Sequence, residues 1–296
     1  MSEQKKLRVS LLGTGLMGSA IVGRLLAAGY PVTVYNRTRA KAERLAKAGA
    51  SVADQPADAF RSSECVLLML ADAPAIRSVL SDPEVQREMQ GRTIIQMGTI
   101  SSTESLEFQR EVDGLGGEYM EAPILGGPVD IPKGNIFILV GASPTQYERW
   151  LGLLRAIAPE CWHIGPVGQG AQLKLAMNQM IASMTTTFAL GLAFVRRAGV
   201  PPETFMELLR KSALYATTFE KKYTRMLGHD YRDVQFTVRM MYKDVNLFLE
   251  EARKLGLENS SLEGTRRLIE IAMDQGLGPA DYSSLYAAVD PQRVGE

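Results

Sequence analysis

Two groups of residues in this chain are spaced for chemistry. Near the start, Gly13-Thr14-Gly15-Leu16-Met17-Gly18 follows a short apolar run, Leu7 to Leu12, and opens an amphipathic stretch, Met17 to Ala28, closed by Gly29. A glycine turn between a strand and a helix suits a pyrophosphate. Gly13 permits the tight turn, Gly15 lets the backbone approach the anion, Gly18 lets the helix pack close, and the first helical amides, at Leu16 and Met17, face the charge. The order strand, turn, helix separates this segment from a chance Gly-x-Gly-x-x-Gly. Far downstream, Lys174 and Asn178 lie four apart near the head of a long helical pattern, so they share one face. That pair suits reduction of a carbonyl: the lysine delivers a proton to oxygen, and the amide orients a carbonyl or carboxylate. The lysine serves if burial lowers its pKa from about 10.4 toward the working pH. Taken alone, a lysine at a helix start is more often a solvated charge, so the spacing by itself does not carry the assignment.

The residues after the second apolar run, Val32 to Tyr35, bear on which dinucleotide is bound. Where an acid would hold a ribose 2′-hydroxyl, the chain has Asn36, followed by Arg37, Thr38, Arg39 and Lys41. A guanidinium and a hydroxyl grip a 2′-phosphate that a carboxylate would repel, which favours NADP over NAD. Arg37 to Arg44 also reads as the solvated first face of a helix with Thr38 as N-cap, and the two readings are compatible.

Two further segments are candidates. Glu121-Ala-Pro123-Ile-Leu125-Gly126-Gly127-Pro128 is a strand running into a double glycine, whose amides either hold a substrate carboxylate or simply make a turn. Tyr242-Lys243-Asp244-Val245 places a Lys-Asp pair near the head of an amphipathic helix, and on physical grounds alone it reads as an ordinary surface pair.

The elements that must carry these residues fall into two halves. From residue 7 to about 164, short apolar strands alternate with helices, the pattern of a doubly wound, mostly parallel sheet. Later strands are expected at Val66 to Leu70, Thr93 to Met97, Tyr119 to Ala122 and Ile136 to Val140, with helices at Arg39 to Ala48, Ala73 to Leu80 and Thr103 to Leu115. Gly165-Pro-Val-Gly168-Gln-Gly170 ends the alternation. Beyond it only helical periodicity remains, at Ala171 to Ala198, Pro202 to Ser212, Val238 to Leu255 and Leu262 to Gln275. The expectation is an α/β Rossmann domain over residues 1–164 and an all-α domain over 165–296, with a ligand cleft at the junction.

Composition narrows the classes. The 296 residues are 46% apolar and 22% charged, with 33 basic and 33 acidic side chains, so no net field points to nucleic acid or an anionic membrane. Cys65 and Cys161 lack metal-site spacing and read as core residues, weakly favouring a reducing compartment; His163 and His229 are too few for a zinc site or a histidine relay. Met1 to Lys6 is polar and unlike a signal peptide, and a cytoplasmic location is expected. Leu175 to Val195 carries no charge, but its Asn178, Gln179, Ser183 and three threonines mark a helix buried in protein on most faces rather than a membrane span. Its apolar circumference exceeds what one small domain covers, so a partner subunit is expected against it.

Taken together and in order, the segments carry a resemblance. Gly13 to Gly18, Tyr35-Asn-Arg-Thr38, Ala122-Pro through Gly127 with Gly134 and Val140-Gly141, Gly168-Gln-Gly170 with Lys174 and Asn178, and Lys243-Asp244 are similar to those of the β-hydroxyacid dehydrogenase family. The likeness runs from about residue 8 to residue 289. It implies that Lys174 is the general acid or base, and that Asn178 and the Gly126 and Gly127 amides bind a small carboxylic-acid substrate. It also implies that Lys243 lies against the cofactor, that Leu70 and Thr99 line the nicotinamide ribose side, and that the protein is a homodimer or homotetramer. Leu125 stands where the family commonly has Ser, removing one hydroxyl from the carboxylate site, and Pro128 to Lys133 departs from the usual small residues. Imine reductases resemble this plan but generally lack the lysine; a non-catalytic NADP-binding interaction protein is a third reading, against which Lys174 and Asn178 together argue.

Overall fold

The computed structural model describes residues 6–291. Its first part contains β1 (Val9–Leu12), α1 (Leu16–Ala27), β2 (Val32–Tyr35), α2 (Arg39–Ala46), β3 (Ser51–Val52), α3 (Pro56–Ser62), β4 (Cys65–Leu68), α4 (Ala73–Leu80) and α5 (Pro83–Arg87). There follow β5 (Thr93–Gln96), α6 (Ser102–Gly114), β6 (Glu118–Glu121), β7 (Ile124–Leu125), β8 (Phe137–Gly141), α7 (Pro144–Ile157) and β9 (Glu160–Gly165). The second part is helical: α8 (Gln169–Arg197), α9 (Pro202–Arg210), α10 (Thr217–Leu227), α11 (Val238–Lys254), α12 (Ser260–Asp274) and α13 (Leu285–Val289).

The strands form one sheet in the order β3-β2-β1-β4-β5-β6-β8-β7, with β9 on β8. The first six pair in parallel. The direction reverses at β8, which runs antiparallel to β6 and β7, while β9 is parallel to β8. β6 and β7 both pair with β8 and are separated by Ala122-Pro123, where the proline has no N–H to give a ladder. The doubly wound α/β class expected from the alternation is the observed one.

Both faces of the parallel part are covered, which is why its strands read as unbroken apolar runs rather than alternating ones. Successive side chains point to opposite faces. Leu11, Leu67, Ile95 and Met120 therefore pack with Ile21, Leu25 and Leu154 on one side. Leu12, Leu68, Ile94 and Tyr119 pack with Phe60, Ile76 and Phe108 on the other. The helical part has its own cores, one around Val245, Leu249 and Ile269, the other around Phe188, Leu192, Phe219 and Tyr286.

The two compact units divide within α8, after Lys174, rather than at residue 164. The reason is local: the amides that open α8 are bonded into the sheet domain, as described below. The helix α10 goes beyond the periodicity expected from sequence. Its buried positions are Phe219, Lys222, Tyr223 and Met226, and a lysine in the inward stripe hides the pattern. Among the described residues no helix is long and apolar enough to cross a membrane. From Leu175 to Val195 most of α8 is buried or half-buried, as expected, with Met180, Leu190 and Phe194 exposed in the single chain.

Candidate active site

The glycine turn lies at the carboxyl end of β1, where the strand order changes direction between β2 and β4; in open α/β sheets ligands bind at this place. Its geometry separates the three glycines. A Cβ on Gly13, whose φ is +101°, would lie 2.2 Å from the Met69 carbonyl oxygen, and one on Gly18 would lie 1.9 Å from the Gly13 carbonyl oxygen. Those two are required by packing. A Cβ on Gly15 would meet nothing within 4 Å, so the protein itself does not demand that glycine, and the open space there fits an anion approaching the backbone. Thr14 is buried beside it, and its Oγ1 has no partner among the described residues. An orphaned hydroxyl and an open approach to the first turn of α1 fit a dinucleotide pyrophosphate held by the amides of Gly15, Leu16 and Met17.

Asn36 braces this turn. Its Oδ1 accepts from the Thr14 N–H at 3.1 Å, and its Nδ2 donates to the Thr38 carbonyl at 3.0 Å. The residue is thus structural as well as a missing acid. Thr38 is the N-cap of α2, as its position suggested, but its hydroxyl makes no capping bond. Arg37, Thr38 and Lys41 are exposed, whereas Arg39 is committed to Glu43 at 2.8 Å and to Asp54. Leu70 and Thr99, half-buried, follow the carboxyl ends of β4 and β5 on the same edge of the sheet as the glycine turn.

Leu125 ends β7, paired with Phe137, and leads into exposed Gly126. The Gly127 amide is not open: it donates to Asp130 Oδ2 at 3.1 Å. A carboxylate from the chain's own loop takes the donor assigned from sequence to a substrate carboxylate. Asp130 belongs to the segment that departs from the usual small residues, and its acidity two residues beyond a Gly-Pro step was the available signal.

Lys174 lies near the start of α8 and is 7% exposed. The solvated-charge alternative is therefore set aside. The opening of α8 is held by a residue to which sequence reasoning gave no role. Glu121 at the end of β6 is 1% exposed, and its Oε1 accepts from the Gly168 N–H at 2.8 Å and the Ala171 N–H at 3.0 Å. Ser105 donates its hydroxyl to Oε2. Burial raises the Glu121 pKa, and these donors work against that rise. A lone carboxylate in the apolar strand Tyr119-Met-Glu-Ala was a legible anomaly, because acids are seldom buried without partners.

In the helical unit, Asn178 is 7% exposed and donates from Nδ2 to Asp244 Oδ2 at 2.6 Å. Asp244 is 3% exposed, and its Oδ1 lies 3.0 Å from Lys243 Nζ. The Lys243-Asp244 pair is thus no ordinary surface pair, since its acid is buried and orients the amide of Asn178. Asp244 is the second residue whose role sequence reasoning missed; adjacent to Lys243 in sequence, it was legible only as a charge partner.

Comparisons with known proteins bear on the family and the fold. Residues 8–165 match the family model of the NAD-binding domain of 6-phosphogluconate dehydrogenase, and residues 168–289 match that described as NAD-binding of NADP-dependent 3-hydroxyisobutyrate dehydrogenase. A glyoxylate/succinic semialdehyde reductase of Arabidopsis thaliana is 28% identical over 285 residues, covering 96% of this chain and 98% of the relative. A 3-hydroxyisobutyrate dehydrogenase from Salmonella typhimurium shares the fold with a TM-score of 0.86 at 22% identity, covering 95% of this chain and 99% of that one. An imine reductase from Pseudomonas sp. superimposes less well, with a TM-score of 0.65 at 27% identity and coverage of 96% and 99%. A glycine turn built for a nicotinamide dinucleotide, followed by the helical module of hydroxyacid dehydrogenases, makes the chain an oxidoreductase belonging to the β-hydroxyacid dehydrogenase family.

Proposed function

We propose that this oxidoreductase transfers hydride between NADPH and the carbonyl carbon of a small aldehyde or keto acid, with Lys174 exchanging the proton at the carbonyl oxygen. The observation that carries the reading is the burial of Lys174 near the head of α8, since removal from water is what brings a lysine into the range of a general acid or base. The nicotinamide, when bound, supplies the hydride in reduction and accepts it in oxidation. Arg37 and Thr38, exposed after β2, hold the 2′-phosphate, and Lys41 adds positive charge. Asn178, fixed by Asp244, orients the substrate, and Lys243 faces the cofactor. The Gly126 and Gly127 amides receive the acid group, Gly127 once Asp130 yields its N–H, and Leu125 gives an apolar contact in place of a hydroxyl. The substrate class is supported by the name of the Arabidopsis relative, a glyoxylate/succinic semialdehyde reductase. The exposed Met180, Leu190 and Phe194 on α8 support a homo-oligomer, and sedimentation velocity of the purified protein tests the assembly.

The decisive experiment is the initial rate of NADPH oxidation with glyoxylate, succinic semialdehyde and methylmalonate semialdehyde, for the parent and for Lys174→Ala. Turnover of an acid by the parent and a fall of roughly a hundredfold or more in the variant, with NADPH still bound, is the expected result. No turnover of any acid by the parent, or full turnover by Lys174→Ala, defeats the reading.

A further inference from the structure

We propose that Glu121 is the positioning residue for Lys174, because its buried carboxylate anchors the first turn of α8 and so fixes where the lysine stands. The proposal rests on the reading of Lys174 as general acid or base. Helices are ordinarily opened by a side chain at their own N-cap, but the residue before α8 is Gly168, which has none. The free amides of that turn are taken instead by a carboxylate from a strand 47 residues earlier.

The surroundings are shaped around this one group. A Cβ on Gly141 would lie 2.3 Å from Glu121 Oε1, and a Cβ on Gly170 would lie 2.7 Å from the Leu139 carbonyl oxygen and 3.1 Å from Oε1. The glycines at 141, 168 and 170 thus converge on a single carboxylate, Gly141 and Gly170 by leaving it room and Gly168 by giving it an amide at 2.8 Å. The Gly170 amide also favours the charged form. Gly168 itself, at φ +99°, holds a conformation that L side chains rarely adopt, so no capping side chain stands there and the anchoring of the first turn falls to Glu121.

Lys174 follows Ala171, whose amide Glu121 holds, by less than one turn, about 4.5 Å along the axis. Any slack in the first turn passes directly to the lysine.

Glu121→Gln keeps the shape and one acceptor oxygen while removing the charge; Glu121→Asp keeps the charge and withdraws it by one methylene. Both are compared with the parent and with Lys174→Ala for kcat, KM, the pH profile of kcat/KM, NADPH affinity and thermal midpoint. Glu121→Asp is expected to lower kcat roughly tenfold to a hundredfold with KM and the pH profile retained, and Glu121→Gln, which still offers an oxygen to the Gly168 and Ala171 amides, is expected to recover most of that loss. NADPH affinity should stay within about twofold in both, because the glycine turn of β1 and α1 is untouched. Unchanged kcat in folded Glu121→Asp, whatever its thermal midpoint, would make Glu121 a structural cap and overturn the proposal. If neither variant folds, Ser105→Ala, which removes the donor to Oε2 together with the contact to the Tyr119 hydroxyl, is compared with Tyr119→Phe, which removes only the latter: a lower kcat in Ser105→Ala alone with NADPH affinity retained supports the proposal, and an unchanged kcat overturns it. Full turnover by Lys174→Ala would instead overturn the reading beneath it.

Discussion

The side-chain amide of Asn178 donates to the buried carboxylate of Asp244 across 2.6 Å, joining α8 to α11. The other oxygen of Asp244 meets Lys243, so one acid aligns two residues assigned to substrate and cofactor. Asp244→Ala removes this carboxylate from both. Charge-assisted hydrogen bonds are worth about 1.5 to 3 kcal/mol, which sets the expected loss in kcat/KM at roughly tenfold to a hundredfold. Steady-state kinetics check this, and Asp244→Asn, which retains an acceptor for Asn178, should lose less.

Cofactor choice is expected to follow the segment after β2. Asn36→Asp preserves the acceptor for the Thr14 amide but loses the donation to Thr38 and adds a negative charge, while Arg37→Ala removes an exposed guanidinium. The double variant should lower the ratio of kcat/KM for NADPH over NADH roughly tenfold to a hundredfold, read from parallel titrations with the two cofactors. An unchanged ratio would locate the phosphate elsewhere.

The Asp130 carboxylate competes with a substrate acid for the Gly127 amide. Asp130→Ala frees that donor and removes a like charge, so KM for aldehyde acids should fall roughly tenfold to a hundredfold, the worth of one hydrogen bond to a charged group. A neutral aldehyde of similar size should show no such change. Equal effects on both would mean that the substitution acts through the loop and not through the amide.

Stability at low pH is expected to depend on Asp281. It is wholly buried, accepts from Lys222 Nζ at 2.7 Å and from the Ser283 amide at 3.0 Å, and takes the Gln235 amide on its other oxygen at 3.1 Å. Burial pushes its pKa up, but the Lys222 ammonium and the Ser283 donors outweigh that and hold the carboxyl below its ordinary value. A depressed carboxylate contributes stability that is fully present above the unfolded value, about 3.9, and is lost as pH falls through the lower folded value. Urea unfolding of the parent should therefore hold steady down to about pH 4 with respect to this group and weaken below it. Asp281→Ala, which strands the buried Lys222, should cost about 3 to 5 kcal/mol at neutral pH and flatten the acid dependence.

Local signals in the chain were sufficient for the parallel sheet, the glycine turn, the change to helices and the placement of Lys174 near the head of a long helix. Each depends on near neighbours: apolar runs at strand spacing, the i, i+4 face, a turn that only glycine can make. The helix α10 escaped because one of its inward positions is Lys222, whose charge is neutralised by a residue far along the chain. The same cause hid the anchors of the candidate site. Glu121 meets Gly168 and Ala171 from 47 and 50 residues away, and Asn178 meets Asp244 from 66. No periodicity encodes such partners, because a buried acid is tolerable only where folding brings donors to it, and that is a property of the packed fold. Asp130 shows the converse: three residues from Gly127, it could be read as a loop acid, but its hold on that amide depends on how the loop closes.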